Sequence, residues 1–188
     1  LLVFGGSQGA GSINRAAVAF AAANSGREDL QILHIAGPKN HAALEKEYSE
    51  KAACSKLKVG LLSYCERMDL AYAAADLAVC RAGATTMAEV MCLGVAAALV
   101  PYPYAAEGHQ EINAKYLSAR GAAAALRDSG LDSSFSGAVG ELLADGDRLA
   151  AMRAKARSCY KAGAAENMAR VVIDGAARAG SGAIKTVA

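Results

Sequence analysis

Residues 5–10, Gly-Gly-Ser-Gln-Gly-Ala, are small and polar and directly follow four apolar residues of strand character. Where such a run leads into a helix, backbone N–H groups remain free at the positive end of the helix dipole, and a phosphate can bind them. The spacing fits neither of two familiar phosphate loops, because Ser12 stands where a Walker loop needs Lys and no G-x-G-x-x-G pattern passes through the run. The run indicates a nucleotide-binding loop, although any doubly wound domain needs small residues where its first strand turns into a helix.

Residues 81–89 (RAGATTMAE) form a second turn of small residues that leads into a helical segment. Thr86 and Glu89 have the spacing of a capping box, in which the threonine caps the helix and the glutamate reaches back to the N–H of the cap. In the alternative interpretation, Glu89 faces a ligand cleft, where its carboxylate accepts hydrogen bonds from both hydroxyls of a ribose. The two interpretations differ in the direction of the Glu89 side chain.

A third polar cluster lies at residues 107–113 (EGHQEIN), after the stiff Pro-Tyr-Pro-Tyr segment at 101–104. His109, Gln110 and Asn113 can lie near one another, because positions three and four apart share one face of a helix. His109 has no cluster of metal ligands nearby, so a metal site is disfavoured. Neutral hydrogen-bonding side chains suit a ligand rich in hydroxyl groups, and the cluster therefore indicates a sugar site.

Six short apolar runs of strand length alternate with segments of helical spacing. The predicted strands are residues 1–4, 30–35, 57–62, 77–80, 97–100 and 122–126, and the helices between them are residues 12–23, 40–52, 67–75, 86–93 and 110–120. Gly94 and Gly121 stand just past helical segments, where a left-handed C-cap favours glycine. Three further helices, at residues 133–144, 147–162 and 165–179, close the domain, and residues 180–188 are expected to be a flexible tail.

The alternation predicts an α/β fold, a doubly wound six-stranded parallel sheet, because strands that are apolar on both faces need helices on both sides. Ligands of such a sheet bind at the carboxyl ends of the strands. The three polar segments described above follow the first, fourth and fifth predicted strands, and residues 64–68 (YCERM) follow the third. The functional residues are therefore expected to meet at one edge of the sheet.

Composition excludes several classes of protein. The 188 residues carry a net charge of +2, which gives no indication of a nucleic-acid partner, and no apolar run approaches the length of a transmembrane helix. Five scattered cysteines without a C-x-x-C pair argue against a disulfide framework and a zinc site, and they favour a reducing compartment. The chain begins inside a strand without an initiator Met, which indicates a piece of a longer protein.

The motifs at residues 5–10 and 81–89, together with His109-Gln110 and Asn113-Ala114, resemble in order and spacing those of the MurG family. Its members are the UDP-N-acetylglucosamine:N-acetylmuramyl-(pentapeptide) pyrophosphoryl-undecaprenol N-acetylglucosaminyltransferases of peptidoglycan synthesis. Residues 64–68 occupy the position of a fourth motif. The resemblance covers residues 1–179, the C-terminal half of such an enzyme, and implies a Rossmann-like domain that binds the UDP-sugar donor.

The resemblance implies an inverting hexosyltransferase of GT-B architecture that needs no metal or other cofactor. The enzyme moves N-acetylglucosamine from UDP-N-acetylglucosamine to the lipid-linked acceptor lipid I and gives lipid II. Carried onto this sequence, the resemblance implies a diphosphate loop at Gly6, Ser7, Gln8 and Gly9, and a backbone at Cys65 that binds the edge of the uracil. Glu89 is then expected to bind the ribose hydroxyls, and Ala84, Thr85 and Thr86 to line the sugar and phosphate. His109 and Gln110 are expected to bind the hydroxyls of N-acetylglucosamine.

By the same resemblance, no catalytic residue is expected in this chain. The general base, the acceptor site and the surface that docks on the membrane belong to an N-terminal domain that the sequence lacks. The isolated chain is therefore expected to be inactive, and the full-length protein is expected to be bacterial, cytoplasmic and peripheral on the inner membrane. Three positions depart from the family pattern: Gly11, where many relatives have Arg, Cys65 and Gly108. Two alternatives remain open, a GT-B domain for another nucleotide sugar and a non-catalytic nucleotide-binding Rossmann module.

Overall fold

A computed structural model describes residues 1–51 and 55–181 of the chain. Its centre is one parallel sheet with the strand order β3-β2-β1-β4-β5-β6. The strands are β1 Leu2–Phe4, β2 Gln31–Ile35, β3 Lys58–Leu62, β4 Ala78–Cys80, β5 Ala97–Leu99 and β6 Ala123–Ala125. This order is the doubly wound arrangement, in which the direction of winding reverses beside β1. The predicted α/β fold with six parallel strands is confirmed.

Eight α-helices surround the sheet in the described part of the chain. They are α1 Gly11–Ala23, α2 His41–Lys51, α3 Met68–Ala73, α4 Ala84–Leu93, α5 His109–Ser118, α6 Leu131–Ala144, α7 Gly146–Cys159 and α8 Ala164–Ser181, and a short 3₁₀ turn, Ala106–Gly108, precedes α5. Helix α8 includes Gly180 and Ser181 of the expected tail, while residues 52–54 and 182–188 lie outside the described residues.

Each central strand contributes side chains to two apolar cores, one on each face of the sheet. Val3 of β1 packs in the core beneath α1, α2 and α6, whereas Leu2 and Phe4 pack in the core beneath α3, α4 and α5. Phe20 of α1 and Phe135 of α6 meet edge to face, with ring centroids 5.7 Å apart. Burial on both faces explains why the strands lack the polar alternation of a half-exposed sheet.

The two predicted glycine caps are confirmed. Gly94 follows α4 with φ of 63°, and Gly121 follows the last turn after α5 with φ of 64°. These left-handed conformations let Val95 N–H donate to Val90 O at 3.1 Å and end α4. Each cap turns the chain directly into the next strand of the sheet.

Candidate functional site

A cleft of about 410 Å³ opens at the carboxyl ends of β1 to β4, beside the point where the strand order reverses. Six of the residues predicted for the site line it: Gly6, Ser7, Cys65, Thr85, Thr86 and Glu89. The remaining lining residues are Phe4, Ile35, Ser63, Tyr64 and Met68. Four chain segments far apart in the sequence therefore meet where the parallel sheet places its ligand crevice.

Two other cavities open near the amino ends of the strands, with volumes of about 410 and 580 Å³. Their shared lining includes Asp76 and Arg153, and Arg153 Nη2 donates to Asp76 O at 2.9 Å. Those contacts fasten α7 to the sheet. We assign the functional site by its position at the carboxyl ends of the strands rather than by cavity size.

The loop after β1 depends on two glycines with different constraints. Gly6 has φ of 85° in open space, and Gly9, with φ of 75°, donates its N–H to Gly6 O at 2.9 Å. A Cβ on Gly9 would collide with the carbonyl oxygen of Ala36, so this glycine allows the loop to pack against the end of β2. Gln8 is exposed at the tip of the loop, and neither it nor Gly9 lines the cleft.

Helix α4 begins two residues before Thr86, so the capping-box interpretation is wrong. Gly83 is the N-cap in an extended conformation, with φ of −68° and ψ of 153°, and Met87 N–H donates to Gly83 O at 2.9 Å. Thr86 is then the third helical residue rather than the cap. No side chain caps this helix end, and its first turn carries no acidic residue, so the N-terminus faces the cleft with positive polarity.

The Glu89 side chain is directed into the cleft and is held there by Tyr72. The Tyr72 hydroxyl donates to Glu89 Oε2 at 2.8 Å. Burial raises the pKa of Tyr72 far above its ordinary value, and the nearby Cys80 and Glu89 raise it further, so the phenol stays a donor. The Tyr72 ring in turn packs edge to face on Phe4, with centroids 5.8 Å apart. No local sequence pattern indicates that Tyr72 is the partner of Glu89, because the two residues lie 17 positions apart.

The predicted sugar residues lie at the same edge of the sheet but outside the cleft lining. Gln110 Oε1 accepts from Tyr102 N–H at 3.0 Å, and His109 Nδ1 lies 2.7 Å from Ala106 O. Asn113 Nδ2 donates to Ala82 O at 2.9 Å and ties α5 to the turn before α4. Ala84 is exposed as the first residue of α4 and also lies outside the lining.

A buried polar network supports the loop after β1 from behind. His34 Nδ1 lies 2.9 Å from the Tyr48 hydroxyl and Nε2 lies 3.0 Å from Asn14 Oδ1. Because an amide oxygen only accepts, Nε2 carries the proton and Nδ1 accepts from the phenol. Asn14 Nδ2 donates to Ala36 O at 3.0 Å, the same carbonyl that faces Gly9. Burial lowers the pKa of His34 to about 4, so the ring is neutral.

Arg81 is a residue whose role the sequence did not reveal, although it belongs to a predicted motif. It follows β4 directly, and its guanidinium is paired with Asp128 and stacked over Tyr102, with Cζ 5.4 Å from the ring centroid. The sequence feature that could have identified Arg81 is its position as a charged residue directly after a buried strand.

The part of the chain that the structure describes contains no group of three or more His, Cys, Asp or Glu side chains arranged to hold a metal ion. Within the same residues, no helix is both long and apolar enough to cross a membrane. The cysteines that the structure describes, Cys65, Cys80, Cys92 and Cys159, are free, and burial raises the pKa of the Cys80 thiol to about 12.

Comparison with known proteins gives one consistent family. A family model described as the glycosyltransferase family 28 C-terminal domain matches residues 1–171. A protein of Rhodococcus erythropolis named UDP-N-acetylglucosamine--N-acetylmuramyl-(pentapeptide) pyrophosphoryl-undecaprenol N-acetylglucosamine transferase is 44% identical, over 95% of this chain and 44% of its own length. The protein of the same name from Halothermothrix orenii is 37% identical, over 93% of this chain and 48% of its own length. The chain thus spans about half the length of these curated relatives.

Solved structures agree with the fold. The crystal structure of Acinetobacter baumannii MurG matches with a TM-score of 0.79 and 32% identity, over 92% of this chain and 51% of that one. A glycotransferase of kitacinnamycin matches with a TM-score of 0.61 at 21% identity, over 84% of this chain and 38% of the other, and shows the fold alone. The resemblance predicted from the motifs is confirmed.

Proposed function

This chain belongs to the family of glycosyltransferase family 28 C-terminal domains, and on that premise we propose that it is the donor-binding half of an inverting N-acetylglucosaminyltransferase. The donor is UDP-N-acetylglucosamine. The acceptor of the complete enzyme is the lipid-linked N-acetylmuramyl-pentapeptide of peptidoglycan synthesis, as the names of the relatives suggest. The observation that carries the proposal is the Glu89 carboxylate, held by Tyr72 and directed into a cleft between the loop after β1 and the start of α4.

The cleft suits the nucleoside part of the donor. Glu89 accepts hydrogen bonds from the two ribose hydroxyls, a pairing of a carboxylate with neutral donors that is stronger than a bond between neutral groups. Tyr72 occupies one oxygen, Oε2, and fixes the rotamer, so less conformational entropy is lost when the ribose binds. The backbone at Cys65, which lines the same cleft, reads the edge of the uracil.

The diphosphate binds between two helix N-termini. Neither α1 nor α4 has an acidic residue in its first turn or a side-chain cap, so their N–H groups are available to an anion. Gly6 and Ser7 of the loop after β1 and Thr85 and Thr86 of α4 all line the cleft. Negative charge that develops on the departing UDP is then stabilised by fixed backbone dipoles, which makes a cation unnecessary for leaving-group departure.

The N-acetylglucosamine extends from the cleft toward α5. Gln110, with His109 beside it, hydrogen-bonds to the sugar hydroxyls at the same edge of the sheet. The general base, the acceptor site and the membrane-docking surface lie in the part of the enzyme outside this chain. The isolated chain therefore binds the donor weakly and transfers no sugar, and the complete enzyme works at the cytoplasmic face of the inner membrane.

Calorimetric titration of the chain with UDP-N-acetylglucosamine tests the proposal. Glu89→Ala is expected to weaken UDP binding by about 1–3 kcal/mol, because hydrogen bonds to a charged group are lost. Glu141→Ala is the matched control, since that glutamate is exposed on α6 and does not line the cleft. Unchanged affinity with a lower melting temperature in Glu89→Ala would assign Glu89 a structural role and contradict the proposal.

The same titration distinguishes the two alternative functions. UDP-glucose, UDP-N-acetylgalactosamine and UDP are compared with UDP-N-acetylglucosamine on the unmodified chain. Selective binding of UDP-N-acetylglucosamine supports the proposed donor. A preference for another base or sugar indicates a GT-B domain of different specificity, and equal binding of mononucleotides without sugar selectivity indicates a non-catalytic module.

A further inference from the structure

We propose that Arg81 is a positioning residue. It fixes the segment after β5, residues 100–110, which carries Tyr102 and Gln110, relative to the diphosphate loop after β1. The inference rests on the proposed function, because it concerns how the two parts of one donor site are held in register. Arg81 itself does not bind the diphosphate. Its guanidinium instead joins four chain segments that leave the same edge of the sheet.

The contacts of Arg81 reach three elements besides its own. Nη2 donates to Ser12 Oγ in the first turn of α1 at 3.1 Å, and Nη1 donates to Asp128 Oδ1 after β6 at 2.6 Å. Nη1 also lies 3.2 Å from the carbonyl oxygens of Val100 and Pro101, where the chain leaves β5. The Ser12 hydroxyl closes a ring by donating to Asp128 Oδ1 at 2.5 Å.

The charge of Arg81 is already committed. Only 11% of its side chain is exposed, and Asp128, exposed by 19%, neutralises it at contact distance. A guanidinium held by a partly buried carboxylate, a hydroxyl and two carbonyls has few free donors for a phosphate. Reaching a ligand would break the pair and leave Asp128 without its counter-charge, which is unfavourable for a partly buried ion.

The link to sugar recognition runs through Tyr102. The guanidinium carbon lies 5.4 Å from the centroid of the Tyr102 ring, within the range of a cation–π contact. The backbone N–H of Tyr102 donates to Gln110 Oε1, so the position of Tyr102 sets the position of the Gln110 amide. Arg81 therefore connects Ser12, beside the diphosphate loop, to the side chain proposed to read the sugar.

The test compares binding of UDP-N-acetylglucosamine and of UDP to the unmodified chain, Asp128→Asn, Ser12→Ala, Arg81→Lys and Arg81→Met. Asp128→Asn decides the question, because it keeps Arg81 and removes its anchor. A positioning role predicts weaker binding of UDP-N-acetylglucosamine by about 5-fold or more, with a smaller loss for UDP, since the Gln110 contact loses its register. Arg81→Lys should bind UDP-N-acetylglucosamine no better than Arg81→Met, because a single ammonium group cannot reproduce the two-pronged contacts of the planar guanidinium.

A direct phosphate contact predicts the opposite pattern. Asp128→Asn would then release the guanidinium and strengthen both ligands, and Arg81→Met would weaken both by the same factor. Either result, or unchanged affinity in Asp128→Asn and Ser12→Ala, overturns the inference. Asp29→Asn is the matched control, since Asp29 pairs with Arg27 on an exposed surface. If the unmodified chain does not bind UDP-N-acetylglucosamine, the proposed function fails. If it binds, and Asp128→Asn and Ser12→Ala bind with the same affinity, the inference alone fails.

Discussion

Acid should destabilise this domain through His34, and the size of the effect follows from its burial. The ring is fully buried between Asn14 and Tyr48, and burial lowers its pKa to about 4 from an ordinary value of 6.5. Below pH 6.5 the unfolded chain takes up a proton at His34 that the folded chain refuses, so stability falls as pH decreases toward 4. The complete loss between those limits is about 3 kcal/mol.

The assay is urea unfolding at about pH 7.5 and about pH 5, where most carboxylates are still ionised. Linkage gives a loss of about 2 kcal/mol between these two conditions from His34 alone. In His34→Gln this contribution disappears, and the two stabilities should converge apart from the effect of other groups. The ring resonances of His34 followed by NMR provide a second measurement that does not depend on the variant folding.

Two results would refute the reasoning. The first is a His34 resonance that titrates near its ordinary pKa, and the second is a His34→Gln variant that loses as much stability in acid as the unmodified chain. Because Asn14 joins His34 to the Ala36 carbonyl that faces Gly9, acid is also expected to loosen the loop after β1 before the domain unfolds.

Further predictions concern the partner of Glu89 and the two glycines of the loop after β1. Tyr72→Phe removes the hydroxyl that holds Glu89 and should weaken UDP binding by about 3- to 10-fold. The control Tyr160→Phe, outside the cleft, should bind UDP as the unmodified chain does. Equal affinities of Tyr72→Phe and the unmodified chain in titration would contradict the role of Tyr72. Gly9→Ala should cost at least about 2 kcal/mol in urea unfolding, because a Cβ there meets a backbone carbonyl at positive φ. Gly6→Ala, at positive φ in open space, should cost about 1 kcal/mol, and equal losses would exclude the steric explanation.

The arrangement of the sheet was predictable because its physics is local and repetitive. The central strands had to be apolar on both faces, and parallel strands bring their carboxyl ends to one edge, so the positions of Gly6, Cys65 and Glu89 at one cleft followed from order alone. The glycine caps at 94 and 121 were equally local, since only the residue after a helix end must adopt a positive φ.

The direction of Glu89 was not predictable, because a local rule and a tertiary contact competed for one side chain. The spacing from Thr86 to Glu89 satisfied a capping box, but the extended conformation of Gly83 starts the helix earlier and Tyr72 provides the partner. Arg81 and Asp128 are 47 positions apart, and no periodicity in the sequence reports such a pair. The parts of the site that escaped sequence reasoning are those built from side chains that meet only in the folded chain.

Tyr64 is a suitable position for a fluorescent reporter of ligand binding. Its side chain lines the cleft with 61% of its surface exposed, and the sequence contains no tryptophan. Tyr64→Trp would therefore install a single indole fluorophore at the entrance, whose emission reports occupancy without interference from any other indole. Stopped-flow mixing with such a variant would resolve arrival and departure of the nucleotide sugar as separate rates.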